Sequence, residues 1–326
     1  MDTMGNDLLS AQEVADILKV ARNTVYEIIK RGELKASKVG KQVRVSSRDV
    51  DAYLGKAAPP EEPLNKPAAQ AFAPRQRQTQ TASFSAAAEE PRAGEFVICG
   101  QDPSLDIIAN HLVSAMDMLQ VYRSYLGSYN GIYSLYQGRV NVATAHLWDG
   151  DLNEYNISYV KKMMPGIPAL IMRIGKRQHG FYVAKGNPLE ITAWTDLKRK
   201  DISIVNREKG SGTRVLLDEK LRLMGIIGEY IQGYSHECKS HLSTATLVSQ
   251  GIADIGIGSE SGCKTIQNVD FIPLQTESYD LIIRHADADK LPYRTVLEII
   301  ASDSFKLDLE SMSSYDTSET GRIIWQ

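Results

Sequence analysis

The residues best equipped for chemistry lie between Ile202 and Leu217, where an apolar strand runs into Gly210-Ser211-Gly212-Thr213 and an apolar-periodic helix follows. The first amides of a helix have no internal partner, and its dipole favours negative charge there. Glycines let the backbone approach a ligand, while Ser211 and Thr213 add hydroxyl donors. No Gly-Lys-Ser/Thr follows at the spacing of a Walker A loop, and a bare Gly-Ser-Gly-Thr is as often an ordinary glycine turn. Gly127-Ser128-Tyr129-Asn130-Gly131, ahead of a helix expected over 132–137, offers donors of the same type. Two such loops facing one another would hold one compact anion through hydrogen-bond donors, with no metal and no cofactor. No nucleophile–base pairing, His-Glu-x-x-His or paired-carboxylate motif stands out, so the expectation is a binding protein rather than an enzyme.

A second concentration of functional side chains lies near the N-terminus. Nine Lys/Arg fall between Leu18 and Arg48 against two acids, Glu27 and Glu33, in a chain whose net charge is −3. Such a patch attracts a polyanion, although a solvated basic face would look the same. Ser10-Ala11-Gln12-Glu13 has capping-box spacing, and Val14, Ile17 and Leu18 continue a short amphipathic helix. A second helix is expected from Arg22 to Arg31, stopping at Gly32, with Val25, Ile28 and Ile29 inward and Arg22, Asn23, Tyr26 and Lys30 outward. Lys35–Val39 and Gln42–Ser46 alternate around Gly40-Lys41 as a hairpin would, and Ser47 starts a third helix.

The elements that position these residues divide into two parts. At 326 residues the chain exceeds one common domain. Between Lys56 and Ala93 stand six of its twelve prolines and eleven alanines, without periodic apolar residues. That composition describes a flexible linker, which gives a head over 1–55, a linker over 56–93 and a body over 94–326. From Glu95 apolar strands alternate with helical stretches, as in an α/β domain. Leu135–Ala143 and Val248–Gly256 repeat one design, a helix ending at Gln-Gly and then a strand preceded by Asn or Asp. Two similar lobes or a shared αβ-loop grammar would each produce it. No run of about 18 apolar residues and no secretory leader is visible, and Cys99, Cys238 and Cys263 lack metal or redox spacing. These features predict a cytoplasmic protein without a membrane segment.

The order LSAQEVADIL-x-VARNTVYEIIKRGEL-x-ASKVGKQVRVSSRDVDAYL closely resembles the excisionase/MerR-type winged helix-turn-helix domain. The resemblance implies operator DNA as partner. Arg22, Asn23, Thr24, Tyr26 and Lys30 would then sit on the recognition helix, with Lys38, Lys41 and Arg44 in the wing. GSYNGIYSLYQG, AHLWDGDLNEYN, RQHGFYVAKGNP, VNREKGSGTRVLLD, GIADIGIG and ESYDLII resemble a periplasmic-binding-protein-like domain of the molybdate-binding type. That implies a type II bilobal fold, with lobe 1 over about 94–180 and 284–326 and lobe 2 over about 181–283. Its strands would cross near Phe181–Ala184 and Tyr279–Ile283. By the same resemblance the ligand is molybdate or tungstate, with Ser128, Ser211, Gly212 and Thr213 as donors and Asn206, Arg207, Arg214 and Tyr279 as candidates. Arg214 could instead pair with an acid across the lobe interface, and His146 reads as packed rather than as a ligand. His179 and Ser240-His241-Leu242-Ser243 depart from the usual pattern. The expectation is a one-component regulator, dimeric on a two-half-site operator. The rivals are a sensor of an organic metabolite, an enzyme or accessory protein of molybdenum cofactor metabolism, and an architectural DNA-binding protein.

Overall fold

The computed structural model describes residues 8–18, 22–30, 34, 36–39, 42–46, 49–50, 90–312 and 314–326. They fall in two units, Met1–Arg75 and Gln76–Gln326. Most of the expected linker, 56–89, lies outside the described residues.

In the first unit β1 (Leu8–Ser10) leads directly into α1 (Ala11–Leu18), followed by α2 (Arg22–Lys30), β2 (Ser37–Val39) and β3 (Gln42–Ser46). The capping box forms: Ser10 N–H donates to Glu13 Oε2 at 2.7 Å, and Glu13 N–H donates to Ser10 Oγ at 3.3 Å. Val14, Val25, Ile28, Val45 and Val50 close a small core. The hairpin of β2 and β3 gains a third strand that sequence reading missed, because β1 pairs antiparallel with β3, Leu9 opposite Val45. Three residues are too few to show strand periodicity on their own. Asp49 and Val50 are helical, where the third helix was expected.

The second unit is built on one mixed sheet. Its lobe 1 part comprises β4 (Glu95–Cys99), α3 (Ser104–Ala115), β5 (Gln120–Ser124), α4 (Ser128–Tyr136) and β6 (Val142–Ala145), where β4 pairs parallel with both β5 and β6. A short excursion follows, β7 (Trp148–Asp149), β8 (Glu154–Tyr155) and α5 (Ile157–Met163). The long β9 (Ala169–Ala184) then enters the other lobe, which holds β10 (Ile204–Arg207), α6 (Gly212–Leu223), β11 (Glu237–Cys238), α7 (His241–Ser249) and β12 (Ile255–Ser259). An equally long β13 (Val269–Arg284) returns to lobe 1, and α8 (Leu291–Ala301), α9 (Asp303–Ser311) and β14 (Ile323–Trp325) finish it. The strand order is β11-β10-β12-β9-β13-β6-β4-β5, with β14 also on β9. Helix α4 begins four residues earlier than expected, at Ser128, because Gly127 takes the extended N-cap conformation. Helix α3 stops at Ala115, where Met116 turns extended.

The strands β9 and β13 pair antiparallel along their whole length and carry the chain between lobes. Ile171, Met172 and Ile174 pack in the lobe 1 core with Leu281 and Ile283, whereas Phe181 and Val183 pack in the lobe 2 core with Ile255 and Ile257. The crossings therefore lie between Ile174 and Phe181 and between Leu274 and Tyr279. The expected positions, Phe181–Ala184 and Tyr279–Ile283, are the parts of each strand already inside a lobe. In β9 the crossing coincides with Gly175-Lys176-Arg177-Gln178-His179-Gly180, the break between the apolar runs that enter the two cores. At the crossing a Cβ on Gly180 would stand 2.0 Å from the Ile272 carbonyl oxygen. Gly180→Ala is expected to destabilise the second unit by about 1–3 kcal/mol, read as a lower melting temperature in calorimetry.

Candidate ligand-binding cleft

Between the lobes lies a cavity of about 260 Å³. The N-terminal ends of four helices, two from each lobe, reach its wall: Pro103 before α3, Gly127-Ser128 at α4, Ser211-Gly212 at α6 and Ser240-His241 at α7. A helix start carries a partial positive charge; at α3 the first amides are already answered by Asp102 and Pro103, and at α4 Tyr129 N–H is bonded to Gly210 O. Two guanidinium groups join them, Arg177 from β9 and Arg207 from β10. Ser211 Oγ and Ser240 Oγ serve as N-caps, accepting from Arg214 N–H at 3.2 Å and Ser243 N–H at 3.0 Å.

The floor is a buried polar network. Arg177 donates from Nη1 to Asp102 and from Nε to Glu277. Tyr315 O–H donates to Asp102 Oδ1 at 2.5 Å, and Ser104 N–H to the same oxygen at 2.8 Å. Burial opposes ionisation of Glu277, yet Arg177, His146 and His179 around it outweigh burial and hold its carboxyl well below the usual range. Burial keeps His146 and His241 below the ordinary imidazole value, the latter strongly. Tyr279 O–H meets Thr144 Oγ1 at 2.7 Å beneath Arg177, and burial with the charge of Asp102 raises its phenol.

The lobes meet at the rim. Tyr129 N–H donates to Gly210 O at 2.9 Å, joining the two glycine-containing loops directly. Gln101 of lobe 1 accepts from Arg207 Nη2 at 2.5 Å and donates to Glu208 Oε1 at 3.0 Å. On the outer edge Gly150 N–H donates to Glu219 Oε2 at 3.2 Å, Arg222 pairs with Asp151 at 2.9 Å, and Lys220 Nζ lies 3.8 Å from the Trp148 ring centroid.

Of the candidate ligand residues, Ser128, Arg207, Ser211, Gly212 and Tyr279 line this cavity. Asn206 does not: it is fully buried, donating to Tyr234 O and accepting from Arg207 N–H. Arg214 also faces away, paired with Asp218 and Glu237 in its own lobe rather than across the interface. Thr213 is not on the cavity wall, though its Oγ1 is buried without a partner. His146, expected to be packed, lines the cavity and bonds Glu277 at 2.7 Å. Sequence reading missed Gln101, Asp102, Arg177 and His241. Arg177 and His179 were in view within RQHGFYVAKGNP, but nothing local indicated that they turn inward.

In the first unit Arg22, Thr24 and Tyr26 are exposed on α2, and Arg22 Nη2 reaches Tyr26 O–H at 3.3 Å. Asn23 and Lys30 lie on the same helix, Lys38 on β2 and Arg44 on β3. Lys41 lies outside the described residues.

A Cβ on Gly127 would stand 2.7 Å from both Gly210 O and Ser211 Cα. Gly127→Ala is therefore expected to oppose lobe contact by about 1–3 kcal/mol while leaving both cores intact. Solution scattering should show a larger radius of gyration, with secondary structure unchanged by circular dichroism.

Comparison with known proteins agrees with this architecture. The profile of the PBP superfamily domain matches residues 109–301, and that of a helix-turn-helix domain matches residues 8–58. The uncharacterised protein YvgK of Bacillus subtilis strain 168 is 39% identical over 313 residues, 96% of each chain. An uncharacterised protein from the 5′ region of a ferredoxin gene of Clostridium pasteurianum is 48% identical over 110 residues, 34% of this chain and 97% of that one. Among solved structures, a substrate-binding protein assigned to phosphate ABC transport, with bound phosphate, from Clostridium perfringens is similar over 68% of this chain and 99% of that chain, with TM-score 0.52 and 16% identity. EhuB in complex with hydroxyectoine is similar over 70% and 93%, with TM-score 0.51 and 14% identity. The chain belongs to the PBP superfamily, and it carries a helix-turn-helix domain ahead of the binding-protein fold.

Proposed function

We propose that this protein is a one-component transcriptional regulator whose cleft senses a small oxyanion, molybdate or tungstate, and whose head binds operator DNA as a homodimer in the cytoplasm. The observation that carries the anion is the convergence of four helix N-termini, together with Arg177 and Arg207, on one cavity. Backbone amides and hydroxyls at helix starts recognise anions without a metal. Occupancy favours the closed lobes to the extent that the anion binds the closed state better than the open one, typically about 1–3 kcal/mol of coupling. Closure then changes how the two heads engage their half-sites. Among the described residues no helix is long and apolar enough to cross a membrane. The paired ions of the floor are structural partners of one another, and no residue is assigned a catalytic role.

A second reading has an observation of its own. A cavity of about 260 Å³ exceeds what a five-atom oxyanion fills, so a small organic acid also fits. A melting screen of the full chain against molybdate, tungstate, phosphate, sulfate and small carboxylates separates the two. At a hundred times its dissociation constant the true ligand adds about 2.7 kcal/mol. Stabilisation by carboxylates alone would replace the oxyanion reading, and silence across all of them would remove the sensor reading altogether. For the head, Arg22→Ala is expected to weaken operator binding about tenfold or more in a gel-shift titration, consistent with about 1–3 kcal/mol for a good base contact. Unchanged affinity would reassign the DNA-reading face.

A further inference from the structure

In the wall and floor of the same cavity stands a cluster to which the sensor reading assigns no ligand contact. His146, His179 and Glu277 bring their donor atoms within 4.8 Å of one another, all buried. We propose that they bind one divalent transition ion of the kind imidazole favours, such as Zn²⁺, Co²⁺ or Ni²⁺. The inference is independent of the oxyanion and departs from the expectation of a metal-free cleft.

Three observations support it. Glu277 Oε2 lies 2.7 Å from His146 Nδ1 and 2.8 Å from His179 Nδ1. On a tetrahedral ion bonded at about 2.0–2.1 Å neighbouring ligands stand roughly 3.3–3.4 Å apart, so each ring would draw back from Oε2 by about half an ångström to admit it. Next, His179 is 0% exposed and neither ring nitrogen has a hydrogen-bond partner among the described residues, because the contact to Oε2 is out of line for a donor. Buried polar atoms are seldom left so without a ligand, ion or water to answer them. The row continues with His241, whose ring centroid lies 6.0 Å from that of His179 and whose Nδ1 is also buried without a partner.

The charge count points the same way. Asp102 and Glu277 place two carboxylates around one guanidinium, Arg177, while the neighbouring Arg123 is paired with Asp106. Arg177 is thus shared between two carboxylates, and an ion on Oε2 would add to the charge that answers Glu277. Arg177 holds the other oxygen of Glu277, Oε1, leaving Oε2 to the ion; such outer contacts orient metal-binding carboxylates. Gly212 makes room for the ring of His146, since a Cβ there would stand 2.6–2.7 Å from its atoms.

The test uses the full chain, stripped with a chelator and dialysed, titrated with Zn²⁺ by calorimetry and with Co²⁺ by visible absorption. We expect one ion per chain and Co²⁺ d–d bands of nitrogen and oxygen ligation. His179→Ala and Glu277→Gln should each weaken Zn²⁺ binding at least about tenfold, with circular dichroism reporting the fold. His146→Asn provides a variant that leaves the Arg177–Glu277 pair in place. His236→Ala and His285→Ala, outside the cluster, should leave affinity unchanged. The proposal is overturned if the wild-type chain takes up no Zn²⁺ below millimolar concentration, or if folded His179→Ala and His146→Asn bind it as well as wild type does. It is also overturned if NMR of the metal-treated chain shows a proton held between both rings and Glu277.

Discussion

A guanidinium buried at the crossing of two long strands can persist only if opposite charge meets it there. Arg177 is in that position, 5% exposed. Asp102, just beyond β4, answers it on one side and Glu277, on β13, on the other. Through Asp102 the same charge reaches the start of α3 at Ser104 and the C-terminal tail at Tyr315. The floor of the cleft is consequently one unit, made from segments far apart in the chain and shared by both lobes. Removing either acid alone would leave a buried charge without its partner, which costs far more than the pair contributes.

The rim contrasts with the floor. Arg222 with Asp151 is an exposed pair, while Lys220 lies over the buried ring of Trp148 and the amide of Gly150 meets a half-buried Glu219. Exposed ion pairs contribute little, and a cation over an aromatic ring contributes about 0.5–2 kcal/mol. A closed arrangement held by terms of that size can be decided by a ligand supplying 1–3 kcal/mol of preference. A rigid floor with a lightly latched rim is therefore suited to a sensor: the network sets the shape of the pocket, and the ligand tips the balance between states.

The two lobes also share a local device. Gln137-Gly138 and Gln250-Gly251 end α4 and α7, each glycine at positive φ. Beyond them Asn141 Oδ1 accepts from Val97 N–H at 2.8 Å, and Asp254 Oδ2 accepts from Ser203 N–H at 2.7 Å. In both lobes an Asn or Asp side chain just before one strand accepts a backbone N–H from the neighbouring strand segment. The repeat seen in the sequence therefore has one structural purpose in both places, whichever origin it had.

What could be read without coordinates was whatever a few consecutive residues decide: the Ser10–Glu13 box, the glycine-ended helices, the Gly-Ser-Gly-Thr helix start and the helix-turn-helix layout of the head, whereas the two-lobed body was implied by the family resemblance and not by these local signals. Capping and turn formation act within one turn of chain, so their signals stay together in the sequence. Which side chains face the cavity was settled elsewhere. Arg177 meets Glu277 across 100 residues and Asp102 across 75, a meeting set by the register of β9 on β13 that no local pattern carries. Asn206 on β10 and Arg214 on α6, beside the glycine loop in sequence, turn into their own lobe, where Asn206 bonds Tyr234 O and Arg214 pairs with Asp218 and Glu237. The pairing of β13 with β9 on one side and β6 on the other brings His146, His179 and Glu277, unremarkable apart, together as three buried donors. Local chemistry determined the elements; long-range strand pairing, through the alternation of faces it imposes, decided which residues share a site.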